Sequence, residues 1–195
     1  MQPKQDDKTR WNTKYSAGSH SDAEPDEFLV SAFQEFLAVS PPGHALDLAG
    51  GAGRNALWLA QRGWLVKLID ISDVAVHLAK QRARELKAGT LTTEVRDISA
   101  ALDLGDRQFD LIIIFYFLDR QLFPALIRAL KPGGFLIYCT YTVEQRKFGR
   151  GPSDSRYLLE PGELRDAFKS LQILHYRESV TEKATAELVA RKASL

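Results

Sequence analysis

The chain has 195 residues, 45% of them hydrophobic, and 26 Lys plus Arg against 25 Asp plus Glu give a net charge of +1. That balance supplies no basic footprint for DNA, RNA or an anionic membrane, and the single cysteine, Cys139, excludes an intramolecular disulfide and a thiolate-cluster metal site within one chain. With no charged-then-apolar opening segment and no apolar run of membrane-spanning length, the expectation is a cytoplasmic protein with neither a nucleic-acid nor a membrane partner.

Residues 1–24 are polar, interrupted only by Trp11 and Tyr15, and cannot build a core of their own. They are expected to form a tail, disordered or draped over a single domain at 25–195. Helical spacing begins near Pro25 and aligns Phe28, Leu29, Ala32, Phe33, Phe36 and Leu37, until Ser40-Pro41-Pro42-Gly43 stops it. From His44 onward strands and helices alternate. A strand ends at Ala49, a helix follows over 53–62, and Gly63 suits its C-terminal cap. The second strand covers 64–70, Ser72 caps a helix running towards Gly89, and a third strand covers 91–96. The run Phe109-Asp110-Leu111-Ile112-Ile113-Ile114-Phe115 reads as a central parallel strand. A helix over 120–130, the turn Lys131-Pro132-Gly133-Gly134 and a fifth strand to Tyr141 come next. Residues 144–160 read as a long basic loop, 161–169 as a short helix, and 173–180 and 184–191 as an antiparallel pair about Glu182-Lys183. The alternation predicts a doubly wound α/β sheet.

The chemistry concentrates in Ala45-Leu46-Asp47-Leu48-Ala49-Gly50-Gly51-Ala52-Gly53-Arg54-Asn55, a buried strand feeding a small-residue turn and a helix. Such a turn lets backbone N–H groups approach a ligand, and the helix presents its positive end. Asp70, closing the next strand, can accept both hydroxyl protons of a ribose. Gly51-Ala52-Gly53-Arg54-Asn55-Ala56 also fits a dinucleotide fingerprint, so an NAD(P)-dependent oxidoreductase is one reading. Three features move the reading towards S-adenosylmethionine. Asp47 lies two residues before the turn, where it can orient it or meet an amino group. Asp97 ends the third strand, where it can accept an adenine amino proton. A Lys-Pro-Gly-Gly turn precedes the fifth strand, with an antiparallel pair after it.

Asp47-Leu48-Ala49-Gly50-Gly51-Ala52-Gly53, Asp70, Asp97 and Lys131-Pro132-Gly133-Gly134 together resemble the class I S-adenosylmethionine-dependent methyltransferases. Ala49 stands where that family usually has its first glycine. The resemblance implies a Rossmann-like, seven-stranded, mostly parallel sheet with an antiparallel last strand and helices on both faces. It implies S-adenosyl-L-methionine as cofactor and one methyltransferase domain over 25–195. More narrowly, Trp11-Asn12-x-x-Tyr15, Gly53-Arg54-Asn55, Tyr157-Leu158-Leu159-Glu160-Pro161-Gly162-Glu163-Leu164 and Leu188-Val189-Ala190-Arg191-Lys192 are similar to the tellurite-resistance-type branch. That branch, grouped with thiopurine-type enzymes, acts on small molecules including thiols and oxyanions. The cofactor candidates are Asp47, Ala49, Gly50, Gly51, Gly53, Asn55, Asp70, Ile71, Asp97, Ile98, Phe115 and Trp11.

Trp11 and Tyr15 suit a lid that excludes water, with Tyr15 also a substrate candidate. Tyr116 and Arg120 leave the fourth strand at its carboxyl end, where open α/β sheets bind ligands, and Arg150 and Arg156 lie on the basic loop, where they can attract an anion. No Asn/Asp-Pro-Pro-aromatic signature follows that strand, which counts against a base-amine methylase. The four histidines show neither ligand nor triad spacing, so no metal is expected and no catalytic group is assigned. That missing group leaves a non-catalytic cofactor-sensing module as a further reading.

Overall fold

The computed structural model describes residues 5–18, 23–98 and 102–194, so part of the expected tail at 1–24 lies outside the described residues. The chain forms two compact units, Met1–Ala100 and Ala101–Leu195. In the first, α1 (Gln5–Ser16) and α2 (Glu27–Ala32) precede β1 (His44–Leu48), α3 (Arg54–Ala60), β2 (Leu65–Asp70), α4 (Asp73–Glu85) and β3 (Leu91–Val95). The stretch expected as tail therefore contains a helix. The single helix expected after Pro25 instead changes pitch, α2 passing into a π-helical turn at Phe33–Leu37. β2 pairs in parallel with both β1 and β3.

The second unit holds β4 (Phe109–Phe115), α5 (Phe123–Ala129), β5 (Leu130–Tyr141), α6 (Glu163–Ala167), β6 (Gln172–Val180) and β7 (Ala184–Arg191). β4 and β5 are parallel, and β7 is antiparallel to both β5 and β6. The strand order is β3-β2-β1-β4-β5-β7-β6 in one seven-stranded sheet. Leu111, Ile112, Ile113 and Ile114 of β4 are buried, as are Ala45, Leu46, Asp47 and Leu48 of β1. Continuous burial of that kind is the mark of parallel strands covered on both faces. Cys139, in β5, is a buried core residue.

Two segments depart from the sequence reading. Lys131-Pro132-Gly133-Gly134 belongs to β5 and does not merely precede it, because the pairing register with β4 shifts between Phe109 and Leu111 and absorbs the irregular backbone. Residues 144–160 are a structured connection with 3-10 turns at Val143–Phe148 and Ser155–Tyr157. Side chains take over the role that a ladder would play there. Arg120 donates to both carboxylate oxygens of Glu163, at 2.5 and 2.8 Å, and to the carbonyls of Arg156 and Leu158 at 3.1 and 2.9 Å. Lys192 similarly caps the end of α5, donating to the carbonyls of Ile127 and Leu130 at 2.8 Å.

Two non-glycine residues at strand ends, Ala49 (φ 58°) and Tyr116 (φ 56°), hold left-handed backbone that disfavours a Cβ. Glycine carries no such penalty, so Ala49→Gly should raise stability by about 1 kcal/mol, read from the urea midpoint. The Arg120 clamp makes a second prediction. Burial raises the Glu163 carboxyl, but the Arg120 and Glu160 hydrogen bonds outweigh it and hold it below its ordinary value. A depressed folded-state value stabilises the protein above the unfolded Glu value of about 4.3, and that contribution is lost as pH falls through the lower folded value. Glu163→Gln should cost about 1–2 kcal/mol at pH 7, the pair being partly exposed, and less in acid, measured by urea unfolding at both pH values.

Candidate cofactor site

The turn after β1 is shaped by one buried carboxylate on each of two strands. Asp70, the last residue of β2, accepts hydrogen bonds from the backbone N–H of Gly51 and of Ser72, both at 2.8 Å. It thereby ties the glycine turn to the first turn of α4, where the Ser72 hydroxyl caps Ala75 N–H at 3.0 Å. Asp47 lies in β1 and is 1% exposed. Its carboxyl accepts from the Ala56 N–H, while Oδ2 has no hydrogen-bond partner among the described residues. Burial, reinforced by the charge of Asp70, pushes the Asp47 carboxyl up to about 8. Burial also raises Asp70, against its backbone hydrogen bonds from Ser72, Gly51 and Ile71.

Glycine is required here by space as well as by dihedral. A Cβ on Gly50 would lie 2.7 Å from Asp47 Cγ and 2.8 Å from Leu68 Cγ. Gly51, at φ 56°, would drive a Cβ into the Tyr15 hydroxyl. Gly53 is the N-cap of α3 and packs on Ala79 of α4, 3.0 Å from where its Cβ would be.

Helix α1 brings Tyr15 onto this turn. Asn12 fastens it, donating to Asp73 Oδ1 and accepting from the Ser72 hydroxyl, both at 2.7 Å, while Lys8 pairs with Asp73 at 3.5 Å. Burial, then the charges of Asp70 and Asp47, push the Tyr15 hydroxyl up, so it stays a neutral donor. Trp11 lies 6.1 Å from the Tyr15 ring and carries Lys14 Nζ 4.5 Å from its own ring centroid. The Trp11-Asn12-x-x-Tyr15 spacing thus sets one fastener and one turn-covering group a helical turn apart.

Several of the candidate residues also make hydrogen bonds within the protein. Asn55 Oδ1 accepts the Asp26 N–H at 2.9 Å, and Asp26 pairs with Arg54 at 2.9 Å while capping α2 through Phe28 N–H. These bonds make Asn55 and Arg54 anchors for the segment entering α2. Ile71 is half-buried beside Asp70; past β3, Asp97 is half-buried and Ile98 is buried. In the second unit, Phe115 ends β4 and Tyr116 follows it, its ring 5.2 Å from that of Tyr141. Arg120 is committed to Glu163, Arg156 to Asp154 at 2.6 Å, and Arg150 to the Glu182 carbonyl at 2.7 Å. Sequence reasoning missed the contributions of Asp26 and Lys183, whose partners lie 28 and 67 residues away and leave no local signal. Among the described residues no group of three or more His, Cys, Asp or Glu is placed to hold a metal ion, and no helix is long and apolar enough to cross a membrane.

Residues 45–134 match the family described as "Methyltransferase domain". The chain is 27% identical over 150 residues to the probable S-adenosyl-L-methionine-dependent methyltransferase TehB of Haemophilus influenzae, covering 74% of this chain but 51% of that protein. It therefore spans about half the length of that relative. It is 29% identical over 160 residues to the ribosomal RNA small subunit methyltransferase G of Burkholderia thailandensis, covering 75% of this chain and 68% of the relative. The crystal structure of TehB from Haemophilus influenzae superposes with a TM-score of 0.72 at 20% identity, over 92% of this chain and 66% of that one. With its domain match over residues 45–134, its seven-stranded order and its turn between Asp47 and Asp70, the chain is similar to the S-adenosylmethionine-dependent methyltransferases.

Proposed function

We propose that the chain transfers a methyl group from S-adenosylmethionine to a small nucleophile, a thiol or an oxyanion. The observation that carries this reading is the orphaned Oδ2 of Asp47, buried under a turn in which Gly50 leaves no room for a side chain. A buried carboxylate oxygen without a donor calls for a cationic one, and the amino group of the cofactor's methionine part supplies it. Asp70 offers its remaining lone pairs to a ribose diol. The bound cofactor supplies an electrophilic methyl carbon on a sulfonium; the protein's part is to position a nucleophile in line and exclude water. Tyr15 and the Asn12-fastened helix α1 suit the second task. A near-neutral chain with its loop arginines already paired supports a small acceptor over an RNA.

The reading is tested by titration calorimetry with S-adenosylhomocysteine against NAD⁺ and NADP⁺. Binding of S-adenosylhomocysteine alone is expected; a nicotinamide nucleotide binding in its place would overturn it. A methylated product from a thiol panel separates an enzyme from a sensing module, and methylation of ribosomal RNA alone would overturn the small-acceptor reading. Asp70→Ala should weaken S-adenosylhomocysteine binding by about 1–3 kcal/mol.

Asp47 makes a sharper prediction. Its value of about 8 means that the carboxyl is largely protonated at pH 7, so engaging an ammonium should release a proton. Calorimetry in buffers of different ionisation enthalpy should detect that proton in the wild type and not in Asp47→Asn, which should also bind more weakly. A folded-state value raised from the ordinary 3.8 stabilises the protein fully below 3.8, and that stability is lost as pH rises through about 8. Without cofactor, Asp47→Asn should therefore unfold at higher urea than the wild type above that pH.

A further inference from the structure

Asp47 offers the cofactor's methionine part a partner for its ammonium, and that pairing carries a demand. The ammonium and the carboxylate of an α-amino acid hang from one carbon, so the carboxylate arrives at the same turn. It arrives near Asp47 and Asp70, both buried, where a further negative charge is costly unless a cation meets it.

The first turn of α3 supplies that cation. The Asp47 carboxyl accepts the N–H of Ala56, inside that turn, and the Tyr15 hydroxyl accepts the N–H of Ala52, just ahead of it. Arg54 lies between the two donors in the chain and is the first residue of α3. Burial raises both the Asp47 carboxyl and the Tyr15 hydroxyl, and the charge of Arg54 pulls back on each. Its guanidinium therefore acts on the acid beneath the turn and on the hydroxyl that covers Gly51. Asp26 aims it. Nη2 donates to Asp26 Oδ2 at 2.9 Å, and that carboxylate is 9% exposed, so solvent screens the pair little. Asp26 is fixed in turn, its N–H donating to Asn55 Oδ1 at 2.9 Å and its Oδ1 accepting the Phe28 N–H at 3.1 Å. A guanidinium presents five donors in a planar fork, so an arginine held through Nη2 can meet a second carboxylate. The cations of α1 have other tasks: Lys8 pairs with Asp73, Arg10 with Asp7, and Lys14 lies over the Trp11 ring.

We propose that Arg54 binds the carboxylate of the cofactor's methionine part, so that Asp47 and Arg54 together recognise the two charged groups of an α-amino acid. This rests on the methyltransferase reading above. It gives the site a selectivity that a glycine turn and a ribose-binding acid do not supply: an adenosyl ligand that keeps the amine but lacks the carboxylate is disfavoured.

The test is a cycle between one protein group and one ligand group, read by titration calorimetry on the full chain. The ligands are S-adenosylhomocysteine and S-adenosyl-3-thiopropylamine, the same molecule without its carboxylate. The wild type should prefer S-adenosylhomocysteine. Arg54→Met should weaken S-adenosylhomocysteine on the order of 10- to 100-fold and leave the thiopropylamine unchanged, with Arg54→Lys recovering part of the loss. Arg82, which donates to the Ala52 carbonyl at 3.4 Å, is the control cation, and Arg82→Met should not alter the preference. Equal losses with both ligands in Arg54→Met would make Arg54 a structural residue and overturn the assignment, as would no loss with either. Because the preference is read in the wild type, the assignment stays falsifiable if Arg54→Met does not fold. A wild type that binds the two ligands equally would overturn the Arg54 assignment alone. A wild type that binds neither would overturn the methyltransferase reading and the assignment with it.

Discussion

The first unit depends on a single carboxylate reaching two backbone N–H groups. Asp70 holds Gly51 and Ser72 together, so the turn leaving β1 and the helix following β2 share one anchor. Burying an acid in that position is costly in itself, and the backbone donors offset much of the cost by satisfying the oxygens. Ser72 then extends the chain of contacts outward to Asn12, which seats α1 beside the turn. The residue that fixes the shape of the turn is also the one proposed to meet a ribose.

Electrostatics give that geometry its chemical direction. Two carboxylates are buried close enough for one to raise the other, and Oδ2 of Asp47 is left without a partner among the described residues. A protein selected for stability alone would not leave Asp47 Oδ2 without a donor. Tension between stability and binding is common at such sites, where a group is held in a state that only the ligand relieves.

In the second unit, polar and charged side chains do the work that regular backbone pairing does elsewhere. Arg120 gathers a carboxylate and two carbonyls, Lys192 closes the end of α5, and Gln145 braces the β6–β7 turn. A guanidinium suits this task because its donors form a rigid fork that one carboxylate and nearby carbonyls can fill together. The arginines of this region also fasten a long connection: Arg120 to Glu163 and Arg150 to the Glu182 carbonyl. The same fastening holds Lys183 over Tyr116.

The sequence by itself determined the α/β alternation, the position of the glycine turn and the acids at 47 and 70, because these follow from local rules. An apolar β-branched run makes a covered strand, and small residues between a strand and a helix make a close-approach turn. The helix in the polar N-terminal segment was not legible. Its stability comes from Asn12 meeting Ser72 and Asp73, some 60 residues on, and not from an apolar stripe of its own. The same holds for Asn55, whose Oδ1 accepts the N–H of the distant Asp26, and for Ala49, whose left-handed backbone explains what glycine would relieve there. Which oxygen stays orphaned, which arginine is already paired and which lysine reaches a tyrosine depend on side chains meeting across long sequence separations. Only the tertiary structure decided those, because hydrogen bonds and burial are set by proximity in space, which periodicity along the chain does not encode.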